Sequence, residues 1–211
     1  MRIHLCGVRG STPAPGAEFD RYGGHTSCVA LCPNDGAPGG PVDGNAAPRL
    51  ILDAGTGLRR VTGLLGGAPF TGTIILTHLH WDHVHGLPFF AAGDRPGARV
   101  TLMLPEQGSA GAEEVLALGM SPPHFPIRPS GLRGEWSFCG LAPGVFTAEG
   151  FTVEAREVPH KGGRTLGTGS ATGIRRSRTF PITARPRWAP DPRAGASTTP
   201  PRWAWPPAWT C

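Results

Sequence analysis

No run of this chain reaches about 18 consecutive apolar residues, so a membrane-spanning helix is not expected. The start, Met1-Arg2-Ile3-His4-Leu5-Cys6-Gly7, lacks a long apolar stretch and reads as a first strand, not as a secretory leader. C-x-x-C is absent too. The five cysteines, Cys6, Cys28, Cys32, Cys139 and Cys211, are odd in number and irregular in spacing. That argues against a disulfide framework and favours reduced thiols in the cytoplasm. Neither G-x-G-x-x-G nor a P-loop occurs, so the 7–10 segment reads as a tight turn; its backbone amides are the only hint of a phosphate nest. No internal repeat is present, and no histidine follows His160.

Basic charge is also missing where a nucleic-acid binder would need it. The chain has a net charge of +5, but residues 1–167 hold 13 basic and 14 acidic side chains. Residues 168–211 hold seven arginines against Asp191 alone, so the excess belongs to the tail. Nucleic-acid binding through that tail would require a steep salt dependence and is the least favoured reading.

Body and tail are different kinds of sequence. With 211 residues, one domain with a real core is expected, over 1–167. Ile3/Leu5, Val29/Leu31, Leu50-Ile51-Leu52, Ile74-Ile75-Leu76, Val100/Leu102/Leu104 and Phe151/Val153/Ala155 read as short strands. Residues 57–65 and 112–118 read as helices, the second with glutamates in its first turn. Residues 36–48 form a Gly/Pro-rich loop. The tail, 168–211, has eight prolines, four tryptophans and no sustained period. That proline density excludes long helices and central strands, and disordered linkers are usually poor in aromatics.

The tail therefore reads either as disordered or as a product of the wrong reading frame. Shifting degenerate codons by two bases from Gly167 lets Thr168-Gly169-Ser170-Ala171-Thr172-Gly173 encode Tyr-Arg-Val-Ser-Asp-Gly. The codons up to Pro186 then permit Ser-Ile-Ala-Tyr-Leu-Pro-Asp-His-Gly-Pro-Thr, and those from Arg187 to Ala204 permit Gly-Glu-Tyr-His-Pro-Ala-Ala-Leu. The hidden frame contains a strand, a turn and an Asp-His pair.

The feature that decides the chemistry is Thr77-His78-Leu79-His80-Trp81-Asp82-His83, directly after an apolar strand. Zinc takes neutral imidazole nitrogens and carboxylates at about 2.0–2.2 Å. His78 and His80, two apart on a strand-like exit, can grip one ion; Asp82 and His83 can reach a second beside it. A further ligand must come from a distant strand end. His160 fits, after the strand ending at Val158 and before Gly162-Gly163. A metal lowers the pKa of its water to about 7 and so makes a nucleophile at neutral pH.

These residues resemble the H-x-H-x-D-H signature of the metallo-β-lactamase-fold hydrolase superfamily. Asp53-Ala54-Gly55 is similar to its earlier strand end. Gly7-Val8-Arg9-Gly10-Ser11-Thr12-Pro13 and Gly24-His25-Thr26-Ser27-Cys28 resemble the branch with ribonuclease Z and cyclic-phosphate phosphodiesterases. The resemblance covers 1 to about 167. It implies an α+β fold, an αββα sandwich, here incomplete, with an irregular C-terminal tail. It implies a metal-dependent hydrolase using zinc, two ions in the family and one or two here. Site one would take His78, His80 and His160; site two would take Asp82 and His83, a later histidine and a bridging aspartate. Asp82 would also accept a proton from the metal-bound water. The implied reaction is attack of metal-bound hydroxide on a small-molecule or nucleotide-like phosphodiester. A thioester or lactone hydrolase of the same fold is the rival, as is a catalytically impaired metal-binding remnant, because the later ligands are missing.

Other candidates take quieter roles. Asp53 is expected to order its turn or orient a ligand imidazole, not to bind metal. Trp81 is expected to pack beneath the motif. His85 is expected to face substrate or solvent, and His4, His25 and His124 read as ordinary structural or surface histidines. Lys161 and Arg164 read as solvated loop charges.

Overall fold

The computed structural model describes residues 1–33 and 46–171. Most of the Gly/Pro-rich loop over 36–48, and the tail from 172 onward, lie outside the described residues.

Six strands form the first sheet in sequential order: β1 (Arg2–Gly7), β2 (Cys28–Cys32), β3 (Leu50–Leu52), β4 (Thr71–Ile75), β5 (Arg99–Pro105) and β6 (Glu135–Leu141). The β1–β2 and β2–β3 pairs are antiparallel; β3 through β6 run parallel. Continuous apolar runs such as Leu50-Ile51-Leu52 suit strands buried on both faces, and all three residues are buried. Alternation then sorts them. Ile51, Ile74 and Leu102 face one core with α1 (Leu58–Leu64) and α3 (Ala112–Ala117). Leu31, Leu50, Leu52 and Ile75 face the other.

That second core is closed by an antiparallel sheet of β7 (Gly144–Ala148), β8 (Phe151–Glu157) and β9 (Leu166–Ala171). Phe151, Val153, Ala155 and Leu166 point inward, while Thr152, Glu154 and Arg156 stay exposed. The described layers are thus helix, sheet, sheet, three of the four in the expected αββα sandwich.

The strands expected from periodicity all form, as do both helices. Three features differ. β6 and β7 were not anticipated, because Glu-Trp-Ser-Phe-Cys-Gly-Leu and Gly-Val-Phe-Thr-Ala lack a clean alternation. Trp136 and Phe138 nonetheless pack against the helix-side core. Asp82 and His83, expected on a turn, lie in a one-turn helix, α2 (Trp81–Val84). Finally, β9 runs across Gly167 to Ala171, four residues past the boundary read from composition.

What positions the site is the parallel pair β3–β4. Leu52 lies opposite Ile75, so both chains leave the sheet side by side. The crevice outside the carboxyl ends of parallel strands is where such sheets gather function.

Candidate metal centre

The site is built upward from Asp53, which follows β3, is fully buried and holds φ +61°. A buried carboxylate must be satisfied by donors, and four reach it. Thr77 gives its backbone N–H and its hydroxyl to Oδ1, each at 2.8 Å. Ser27 gives its hydroxyl to Oδ2 at 3.0 Å, and His83 Nδ1 lies 2.8 Å from the same oxygen. Asp53 orients the imidazole of His83, one of the two roles its place in the sequence suggested.

The chain of bonds fixes a tautomer. The Thr77 hydroxyl spends its one proton on Asp53, so towards His78 Nδ1, 3.1 Å away, it can only accept. His78 Nδ1 therefore carries hydrogen, and Nε2 keeps its lone pair for a ligand bond. Burial, followed by the neighbouring imidazoles, pushes the His78 pKa down to about 4, so the ring is neutral near pH 7, the form a metal requires.

His160 arrives from the loop joining β8 to β9. Val158 N–H donates to Thr165 O at 3.0 Å and closes the loop; Leu166 N–H donates to Thr77 O at 2.8 Å and ties it to the motif. Gln107 clamps it from outside, its amide bonding the carbonyl and N–H of Arg164 at 3.0 and 3.1 Å. Gly162 sits at φ +83°, a conformation that favours glycine, and a Cβ there would come within 3.1 Å of His80 Nε2 and press on that ring.

With those constraints the ligand atoms of His78, His80 and His160 lie within 4.8 Å of one another. His80 Nδ1 and His160 Nε2 are 3.2 Å apart. Two nitrogens on one tetrahedral zinc at 2.0–2.1 Å would be about 3.3 Å apart. The donor set therefore fits one such ion. Burial and then the neighbouring imidazoles also lower the His160 pKa, which keeps it in the ligating form.

Asp82 and His83 sit beside this triad but face each other. Asp82 Oδ2 accepts the Ser11 N–H at 2.7 Å and lies 3.3 Å from His83 Nε2. Both His83 nitrogens thus meet carboxylates. Burial opposes charge on this ring, yet Asp53 and Asp82 together raise its pKa above the ordinary histidine value. Among the described residues the group that could hold a metal ion is His78, His80 and His160, and Asp82 and His83 are not part of it. Helix α2, which carries them, is bolted to the β3 exit by Ala54 N–H to His83 O and Gly86 N–H to Ala54 O, both 2.8 Å. Contact is so close that a Cβ on Gly55 would lie 2.1 Å from Asp82 O, and one on Gly86 2.0 Å from Gly55 O.

One expectation is overturned. Trp81 does not pack beneath the motif; it is 72% exposed and stacks on His85 at 5.3 Å, because α2 turns positions 81 and 85 to one side. Arg164 is less free than a solvated loop charge, pairing with Glu157 at 3.4 Å and Glu106 at 3.5 Å. Sequence reasoning missed Thr77, Ser27, Ser11 and Gln107. Only Thr77, adjacent to the motif and at the strand end, carried a readable signal.

The described model of the beta-lactamase superfamily domain matches residues 49–182. No curated protein matches the chain significantly. Among solved structures, the chain is similar to the metallo-beta-lactamase fold protein YhfI from Bacillus subtilis, with 15% identity and a TM-score of 0.53, over 82% of this chain and 58% of that one. It is similar also to a diphosphatase from the PhnP family, with 17% identity and a TM-score of 0.51, over 80% of this chain and 61% of that one. The chain thus spans less than two thirds of either structure.

Proposed function

The chain belongs to the beta-lactamase superfamily, and from that membership we propose that it is a zinc-dependent hydrolase acting on phosphodiester bonds in the cytoplasm. The observation that carries the proposal is the convergence of three imidazole nitrogens, 3.2 Å apart at His80 and His160. A phosphorus centre is favoured because one fold neighbour is a diphosphatase. No helix among the described residues is long and apolar enough to cross a membrane. The cytoplasmic part rests on the free thiols of Cys6, Cys28, Cys32 and Cys139.

Zinc held by the three histidines would supply Lewis acidity and a water acidified to near neutrality. The protein's own groups do the rest. Thr77 holds His78 in the tautomer that ligates. Asp53 holds His83, and His83 with Ser11 holds Asp82 Oδ2. Asp82 Oδ1, without a hydrogen bond among the described residues, is the oxygen assigned to accept a proton from the attacking water. Hydrolysis then converts a phosphodiester and water into a phosphomonoester and an alcohol.

The test is turnover of bis(p-nitrophenyl) phosphate and of an acyl thioester by the zinc-loaded chain. Phosphodiester turnover that His80→Ala abolishes is the expected result; turnover of the thioester alone transfers the reading to acyl hydrolysis. A specific observation also favours a metal-holding but inactive chain: among the described residues the one group that could hold an ion is His78, His80 and His160, which leaves a second position with Asp82 and His83 alone. One bound ion with neither substrate consumed is the signature of that case.

A further inference from the structure

The segment that carries the metal ligands also walls a second concavity. Leu79, Trp81, Val84 and His85, interleaved with His78, His80, Asp82 and His83, line a cavity of about 280 Å³. Its opposite wall is α3 and the turn after it, with Leu116 and Met120 buried at the back. Phe89 and Phe125 meet edge to face at 6.0 Å on a third side.

Two features of this cavity need an explanation that the metal centre does not give. First, Trp81 and Phe89 are 72% and 60% exposed, two large rings left in water at one concavity. Such exposure is a cost to a folded protein unless a ligand uses the surface. Second, the lining contains no aspartate, glutamate, lysine or arginine; its side-chain polar groups are the imidazoles of His85 and His124 and the indole N–H of Trp81. A pocket of apolar walls with a few polar groups is the usual form of a small-molecule site. This lining offers a phosphate no Lys or Arg to pair with and suits a flat uncharged group. A ring can stack on the indole or phenyl faces, bury against Leu116 and Met120, and meet a histidine with a polar edge.

We propose that this cavity binds a neutral planar ring. Resting on the hydrolase reading above, that ring belongs to the organic portion of the ester whose phosphate lies at the three histidines. Trp81 stands between His80 and Asp82 in the chain, so the segment that lines this cavity is the one that carries the metal-site residues. An aryl group and a nucleobase share the required chemistry, flat and uncharged.

The experiment is ligand-observed NMR of the full chain without added metal, with 1-naphthol, adenosine and, as a ring-free control, glycerol. At least one ring compound is expected to bind, and glycerol is not. Naphthol alone identifies an aryl group, and adenosine binding identifies a nucleobase. Trp81→Ala, at an exposed position, should weaken binding about tenfold. Gly119→Phe should block it, since Gly119 lines the cavity and a Cβ there meets no atom within 4 Å, so the backbone admits the substitution. His80→Ala should leave ring binding intact. Failure of both rings to bind, or binding indifferent to Trp81→Ala and Gly119→Phe, overturns the proposal. Zinc titration of the same samples separates the two readings. Ring binding without zinc binding removes the hydrolase assignment and leaves the cavity's ligand class standing.

Discussion

At the residue scale the account turns on where single protons sit. Thr77 can orient His78 only because Asp53 takes its hydroxyl hydrogen. Thr77→Val removes that contact while keeping the shape of the side chain. Zinc affinity, measured against a chromogenic chelator, should fall about 10–100-fold, the usual effect of losing a partner behind a metal ligand. Thr77→Ser should recover most of it. Equal affinity in Thr77→Val would show that the hydroxyl does not set the tautomer. The motif histidines and Asp82 were legible in the sequence because ligand residues cluster at metal-like spacing, and Asp53 because it ends a strand. Trp81 was misread because its apolar ring suggests burial, whereas the turn of α2 decides which side it takes. Gln107 and Ser11 could not be read. They act through backbone contacts across 57 and 71 positions, and no local pattern records those.

At the scale of elements, two joints hold the site. The first is α2 against the β3 exit, where Gly55 and Gly86 permit backbone contact. Gly86→Ala should cost more than about 3 kcal/mol, since neither backbone can retreat. Denaturant melts should show loss of the cooperative transition; a wild-type midpoint would refute the joint. The second is the clamp of Gln107 on the His160 loop. Gln107→Ala should lower zinc affinity about tenfold with little change in melting temperature. A strand argues the other way. Thr168 on β9 buries its hydroxyl with no hydrogen-bond partner among the described residues, so Thr168→Val should raise stability by about 1 kcal/mol. Periodicity exposed the strands with apolar alternation. It missed β6 and β7, whose polar and glycine positions are set by pairing with β5 and β8.

For the molecule as a whole, the last 44 residues differ in kind from the rest, and the encoding DNA tests their reading frame. In the shifted frame, tyrosine and valine replace the buried Thr168 and Ser170, which suits an inward face beside Leu166. The encoding DNA should then show an open shifted frame with an Asp-His pair over codons 181–183. Stop codons there would end the idea. Among the described residues β1 is an edge strand with Ile3 and Leu5 exposed, a surface that invites association. The chain as written is therefore expected to be poorly soluble. The central claim is narrower than either point, and zinc X-ray absorption on the loaded chain tests it most directly. One zinc per chain with three imidazole nitrogens at about 2.0–2.1 Å, reduced to two in His160→Ala, is the predicted outcome. A zinc shell that His160→Ala leaves unchanged, or no stoichiometric zinc at all, would contradict it.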